Sequence, residues 1–272
     1  MYKRILVPLD GSPFSEEVIP YAAGLAAVHG TELMLLRIVG KASDEADARD
    51  YVNSIASAHG VRGLCVLDTG DAARAILKEA ASQPATLLAM TSRGHSGLME
   101  IMLGSVTRRV VRGAEGPVLV YRPTGGRTAA SEKITLRSVV VPLDGSQLPE
   151  VMAHDAARFA QWADAGLEVV SAVQPVNAAQ VGEGPSQEMP MLESGYVHSQ
   201  ATELAKQHGV SVDWDVLHGE PVQAIVDHVA HRSDVILAMV TRRQDALEAA
   251  LLGSVTSGCL RRAGVPILMR FP

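Results

Sequence analysis

The stretch Ile5-Leu6-Val7-Pro8-Leu9-Asp10-Gly11-Ser12 returns as Val139-Val140-Val141-Pro142-Leu143-Asp144-Gly145-Ser146. Each copy is an apolar run that stops at Asp-Gly-Ser, the pattern of a buried strand entering a turn ahead of a helix. Two further echoes lie in register behind it. Leu103-Gly104-Ser105-Val106-Thr107 recurs as Leu252-Gly253-Ser254-Val255-Thr256, and Gly116–Val120 recurs as Gly264–Leu268. Self-similarity of this kind sets the domain count before any element is assigned. The chain therefore reads as one module used twice, over 1–123 and 134–272, with a small and polar linker at 124–133.

Within the first copy, strands are expected at 4–9, 31–39, 61–67, 85–91 and 117–121, alternating with helices at 15–28, 43–59, 71–81 and 104–112. The second copy repeats the order, with strands at 137–143, 167–173, 210–217, 234–240 and 266–270 and helices at 149–163, 190–208, 221–232 and 253–262. Strands alternating with helices imply right-handed crossovers and a parallel sheet covered on both faces. The expected class is α/β, with two tandem doubly wound domains of five parallel strands each. The second copy is the longer, chiefly at Gln174–Met191, which reads as a surface excursion, a lid or a partner contact.

Composition narrows the function. Of 272 residues, 47% are apolar and 4% aromatic, and 24 basic against 30 acidic side chains give a net charge of −6. That balance argues against coating a nucleic acid, which needs clustered Lys and Arg. No apolar run reaches membrane-spanning length, and Tyr2–Val7 reads as a strand rather than a leader. The two cysteines, Cys65 and Cys259, form no close pair, so a reducing, cytoplasmic location is expected.

The chemistry-bearing pattern is Arg93-Gly94, nine residues, then Gly104-Ser105. In an open α/β sheet, ligands bind beyond the carboxyl ends of the strands where the strand order reverses. Asp10 follows the first strand and Gly94 the fourth, so both belong to that rim. A glycine lets backbone approach an anion, and Gly104-Ser105 opens a helix whose free N–H groups and Ser105 hydroxyl suit phosphate oxygens. Asp10 suits a ribose hydroxyl, and Arg93 and His95 could face phosphate charge. Each part also has a plainer use: Asp10 and Asp144 can cap the following helix, and Gly104-Ser105 can be an N-cap. His228 and His231 have a metal-compatible spacing but no third ligand, so no metal site is assigned.

These residues resemble the universal stress protein family in its tandem form, whose ATP-binding members carry Gly-x2-Gly-x9-Gly-Ser/Thr after the fourth strand. Thr91-Ser92-Arg93-Gly94, nine residues, Gly104-Ser105 matches, with Thr91 in place of the first glycine. Pro8-Leu9-Asp10 matches the motif after the first strand. The resemblance implies an adenine nucleotide alpha hydrolase-like fold and binding of ATP, ADP or AMP with Mg²⁺. Ile38 and Asp10 would hold the adenosine, and Gly94, Gly104, Ser105 and Val106 the phosphates. It further implies a stress-linked regulatory role with an unidentified protein partner, ordering of the Ser92–Leu103 segment on binding, and an internal pseudo-dimer joined through the fifth strands. Association of two chains is left open. In the second copy Val240 and Arg243 replace both loop glycines, so that site is expected to be degenerate.

Other functions lack their parts. No GxxxxGK[ST], no GxGxxG after the first strand and no GxSxG elbow is present. No residue is nominated as catalytic. Slow ATP hydrolysis or nucleotidyl transfer, and a scaffold without nucleotide, remain as alternatives.

Overall fold

The most apolar runs form buried strands, whereas Arg62–Leu67 and Val212–His218 stay partly exposed. In Arg4–Leu9 (β1) every residue except Pro8 is buried, and Val118–Tyr121 (β5) is buried throughout. The computed structural model describes residues 2–92, 103–123, 135–174, 188–241 and 252–271. Arg93, Gly94 and His95, the linker, residues 175–187 of the longer excursion and Arg243 fall outside the described residues. Among the described residues no helix is long and apolar enough to cross a membrane.

The chain divides into two units, Met1–Leu136 with Pro266–Phe271, and Arg137–Val265. In the first unit, β1 is followed by Pro13–Glu16 (α1), Ile19–His29 (α2), Glu32–Val39 (β2), Glu45–His59 (α3), Arg62–Leu67 (β3), Ala72–Ala81 (α4), Thr86–Thr91 (β4), Ser105–Gly113 (α5) and β5. Its strands lie in the order β3-β2-β1-β4-β5, all parallel. The order reverses between β1 and β4, so a crevice opens beyond Leu9 and Thr91.

The single helix expected at 15–28 is two, broken at Glu17-Val18. Pro20 explains the break: within a continuous helix its ring would strike the carbonyl of Glu16 and remove a hydrogen bond. It sits instead in the first turn of α2, where no such bond is lost. The second unit keeps one helix, Gln147–Ala163 (α6), because its proline, Pro149, already lies in the first turn.

The second unit continues from Ser138–Leu143 (β6) and α6 through Gly166–Val173 (β7), Glu188–His208 (α7), Val212–His218 (β8), Pro221–Val229 (α8), Val235–Val240 (β9) and Ser254–Arg262 (α9). Its strands run β9-β6-β7-β8, with β6 parallel to both β9 and β7 and β7 parallel to β8. Helix α8 ends at Val229 rather than continuing to 232, since Ala230 is extended and His231 takes a positive φ of 63°. Trp162 and Phe159 are fully buried here, edge to face with ring centroids 5.5 Å apart. The last strand, Ile267–Arg270 (β10), falls with the first unit, antiparallel to β5 with Leu268 opposite Leu119. Phe271 follows it beneath the Arg112 guanidinium of α5, 5.5 Å from the ring centroid.

Near the amino ends of the strands, each unit is fastened by a polar tie, buried at Arg4 in the first unit and partly exposed in the second. Arg4, 3% exposed, donates to Thr86 Oγ1 at 3.0 Å, Glu79 Oε1 at 2.9 Å and Glu79 O at 2.6 Å. In the second unit Glu168 accepts from Arg232 at 2.6 and 3.0 Å and meets His228 Nε2 at 2.9 Å. Burial alone would raise the Glu168 carboxyl. Hydrogen bonds from His228, Arg232 and Ser138 outweigh it and hold the group well below the usual carboxylate range. His228 is thus engaged with Glu168, and no cluster able to hold a metal occurs among the described residues.

Candidate functional site

The site begins with the Asp-Gly-Ser turn that ends β1. Asp10 Oδ1 accepts from Ser12 N at 2.9 Å and from Ser12 Oγ at 2.6 Å. Gly11 takes a φ of +87°, which favours glycine. Ser12 in turn caps α1 by accepting from Ser15 N at 3.3 Å. Asp144 repeats the turn, accepting from Ser146 N at 3.0 Å and Ser146 Oγ at 2.5 Å. Both aspartates thus close the turn itself, and the residues at the helix N-caps are Ser12 and Ser146. Asp10 also borders a cavity.

That cavity, of about 290 Å³, lies at the switch point between β1 and β4. Pro8, Leu9 and Asp10 line it from the end of β1, Ile38 from β2 and Thr91 from β4. Gly104, Ser105 and Val106 close it at the start of α5. Eight of the residues nominated from sequence thus converge on one space. Arg93, Gly94 and His95 are the three that lie outside the described residues.

The helix end at this cavity is open in a chemical sense. Ser12, Asp71 and Glu220 cap α1, α4 and α8 with side-chain oxygens. Gly104 offers α5 no side-chain cap. Its own N–H donates to Ser92 O at 2.7 Å, and the first bond inside the helix runs from Arg108 N to Gly104 O at 2.9 Å. The N–H groups of Ser105, Val106 and Thr107 consequently have no partner within the helix and carry its positive dipole end. Thr107 Oγ1 donates to Thr91 O at 2.9 Å, which fixes the helix start against the end of β4. An anion placed over Gly104-Ser105 would meet an arrangement suited to it.

Arg37 is a charged lining residue that the sequence reading did not nominate. It lies on β2 beside Leu9, and its Nη1 donates to Leu9 O at 3.4 Å and to Ile38 O at 3.3 Å. It also borders an adjoining recess of about 480 Å³ with Asp10, Asp44, Asp47 and Tyr51. Tyr51 donates its hydroxyl to Glu16 at 2.8 Å; burial first, and then this carboxylate, push the phenol well above its usual value. The available signal was a cation inside the otherwise apolar run Leu33-Met34-Leu35-Leu36-Arg37-Ile38-Val39.

The second unit has its own cavity, about 340 Å³, at the corresponding place. Asp144, Ala172, Val240, Gly253 and Ser254 line it where Asp10, Ile38, Thr91, Gly104 and Ser105 line the first. The residue beside Leu143 on β7 is Ser171, whose hydroxyl donates to Glu193. No cation takes the place of Arg37 among the residues lining that cavity.

Comparison with known proteins agrees with the repeated architecture. A model described as the universal stress protein family matches residues 1–60, 41–122 and 135–269. A universal stress protein of Methanocaldococcus jannaschii is 28% identical over 141 residues, 45% of this chain and 83% of that protein. One from Mycobacterium bovis is 31% identical over 156 residues, 50% of this chain and 49% of that protein. The match therefore spans about half the length of that relative. Among solved structures, a universal stress protein from Archaeoglobus fulgidus superposes with a TM-score of 0.65 at 20% identity, covering 100% of this chain and 99% of that one. The cytoplasmic domain of a prokaryotic cation chloride cotransporter gives a TM-score of 0.51 at 14% identity, covering 99% and 95%. Likeness at such identities speaks for the fold alone.

Proposed function

Because the chain belongs to the universal stress protein family, we propose that its first unit binds a nucleoside triphosphate, ATP with Mg²⁺, and serves as a nucleotide-responsive regulatory protein. The observation that carries this reading is the cavity of about 290 Å³ that joins Asp10, Ile38 and the uncapped start of α5. Its volume is at the lower end for small-molecule pockets, roughly 300–1,000 Å³, which suits a nucleoside with its phosphates laid over the helix end. Asp10 would accept from the ribose, Ile38 would face the base, and the N–H groups following Gly104 would take phosphate oxygens. Mg²⁺ would arrive on the phosphates, since it retains water and takes few protein ligands. Thr91, in place of a glycine, would lie along the ribose.

In the second unit, Val240 at the wall and the lost loop glycine at Arg243 favour a site that no longer holds a triphosphate. Occupancy is thus one nucleotide per chain. A partner would read the occupied state of the first unit, and the chain would work in the cytoplasm.

The test is thermal unfolding with and without Mg-ATP, on the wild type and on Gly104→Val. A ligand of the native state raises stability by mass action, by about 2.7 kcal/mol at a hundredfold excess over Kd. The proposal expects a rise in Tm for the wild type and none for Gly104→Val. Equal behaviour of the two proteins would reject the assignment of the phosphates to α5.

A further inference from the structure

At the base end of the first cavity the carbonyl oxygens are already engaged. Leu9 O and Ile38 O, at the carboxyl ends of β1 and β2, both accept from Arg37 Nη1, at 3.4 and 3.3 Å. These are the backbone acceptors that an exocyclic amino group would seek there. A guanidinium has five donors and no acceptor, and it keeps its proton in a protein. With Nη1 directed at these two carbonyls and Nε enclosed by protein, Nη2 is the guanidinium nitrogen left to meet a ligand acceptor. Asp44 and Asp47 border the adjoining recess together with Arg37. What remains at the cavity is directional donor capacity.

From this contact, and resting on the nucleotide reading above, we infer that Arg37 sets the base preference of the first unit, which binds a 6-oxopurine at least as tightly as a 6-aminopurine. A 6-oxopurine presents O6, an acceptor that Nη2 can meet, where adenine presents an amino donor. The amino group meets an Ile38 O that already accepts one hydrogen bond from Arg37 and must share it with a cation. Ser171 stands at the equivalent position of the second unit, with its hydroxyl committed to Glu193, so the device is confined to the first.

The experiment measures Kd for Mg-ATP and Mg-ITP, which differ in the 6-substituent of the base, on the full chain and on Arg37→Met. Methionine keeps the apolar stem and releases both carbonyls. The wild type is expected to bind ITP as tightly as ATP or more tightly. Arg37→Met is expected to shift the ratio toward ATP by about tenfold or more, the worth of one hydrogen bond to a charged group. Arg37→Lys, which keeps the charge, guards against a variant that does not fold. Tighter binding of ATP than of ITP by the wild type would overturn the inference and leave the nucleotide reading intact. An unchanged ratio in Arg37→Met would also overturn it. Binding of neither nucleotide by the wild type would remove the reading itself.

Discussion

Gly104 and Gly253 precede equivalent helices, and their backbones have opposite sign: φ −57°, ψ 154° for Gly104 against φ 67°, ψ 157° for Gly253. The first conformation is open to every residue. The second lies in a region that essentially only glycine enters. The chain itself therefore requires glycine at 253 and does not require it at 104. A glycine that the backbone does not need, at an uncapped helix start beside a cavity, fits a role in leaving room for a ligand.

The two glycines should respond differently to alanine. Gly253→Ala is expected to lower stability by about 1–3 kcal/mol through backbone strain. Gly104→Ala is expected to cost under about 1 kcal/mol, the difference between two weak caps. Urea unfolding of both variants checks this, and a larger loss for Gly104→Ala would contradict it.

Asp10 has a structural and a binding task that substitution can separate. Asp10→Asn keeps an acceptor for Ser12 and should stay within about 0.5 kcal/mol of the wild type. Asp10→Ala frees the turn and is expected to lose about 1 kcal/mol. Under the proposed function Asp10→Ala also weakens nucleotide binding at least tenfold, which titration of the folded variant measures. Undiminished affinity would leave Asp10 with the turn alone.

Acid should act on the second unit through Glu168. Its carboxyl is held below the ordinary glutamate value of 4.5, so the folded state binds a proton less readily than the unfolded chain. The stabilisation is complete above that value and is lost as the pH falls through the lower folded one. Glu168→Gln is expected to cost about 1–3 kcal/mol at pH 7, because Arg232 and His228 lose a charged partner. The gap between wild type and variant should narrow at pH 3. A gap that widens on acidification would contradict the sign.

The thiol of Cys259 is fully buried, and burial pushes it up to about 12. Reaction requires thiolate and access, so Cys259 should resist a thiol reagent at pH 8 until the second unit unfolds. Labelling of Cys259 in the native protein at the rate of a free cysteine would contradict its placement.

The sequence was most legible where a physical constraint leaves a repeated trace. The twin strand–Asp-Gly-Ser turns announced the repeat, the alternation of strands and helices announced the parallel sheet, and both turns close with the same hydrogen bonds. Pro20 could have announced the break between α1 and α2, yet the apolar spacing on either side reads through it. Arg37 was hidden for a related reason. An apolar strand flags burial, and which way one cation inside it reaches depends on its neighbours β1 and α3. The difference between Gly104 and Gly253 leaves no trace at all, since a glycine reads the same at either sign of φ.

The most direct test of the account is calorimetric titration of nucleotide-stripped protein with Mg-ATP, set beside Gly104→Val. The account predicts saturable binding of about one nucleotide per chain, lost in the variant. Two nucleotides per chain would contradict the asymmetry between the units. The absence of saturable binding by the wild type would contradict the central claim that the first cavity is a nucleotide site.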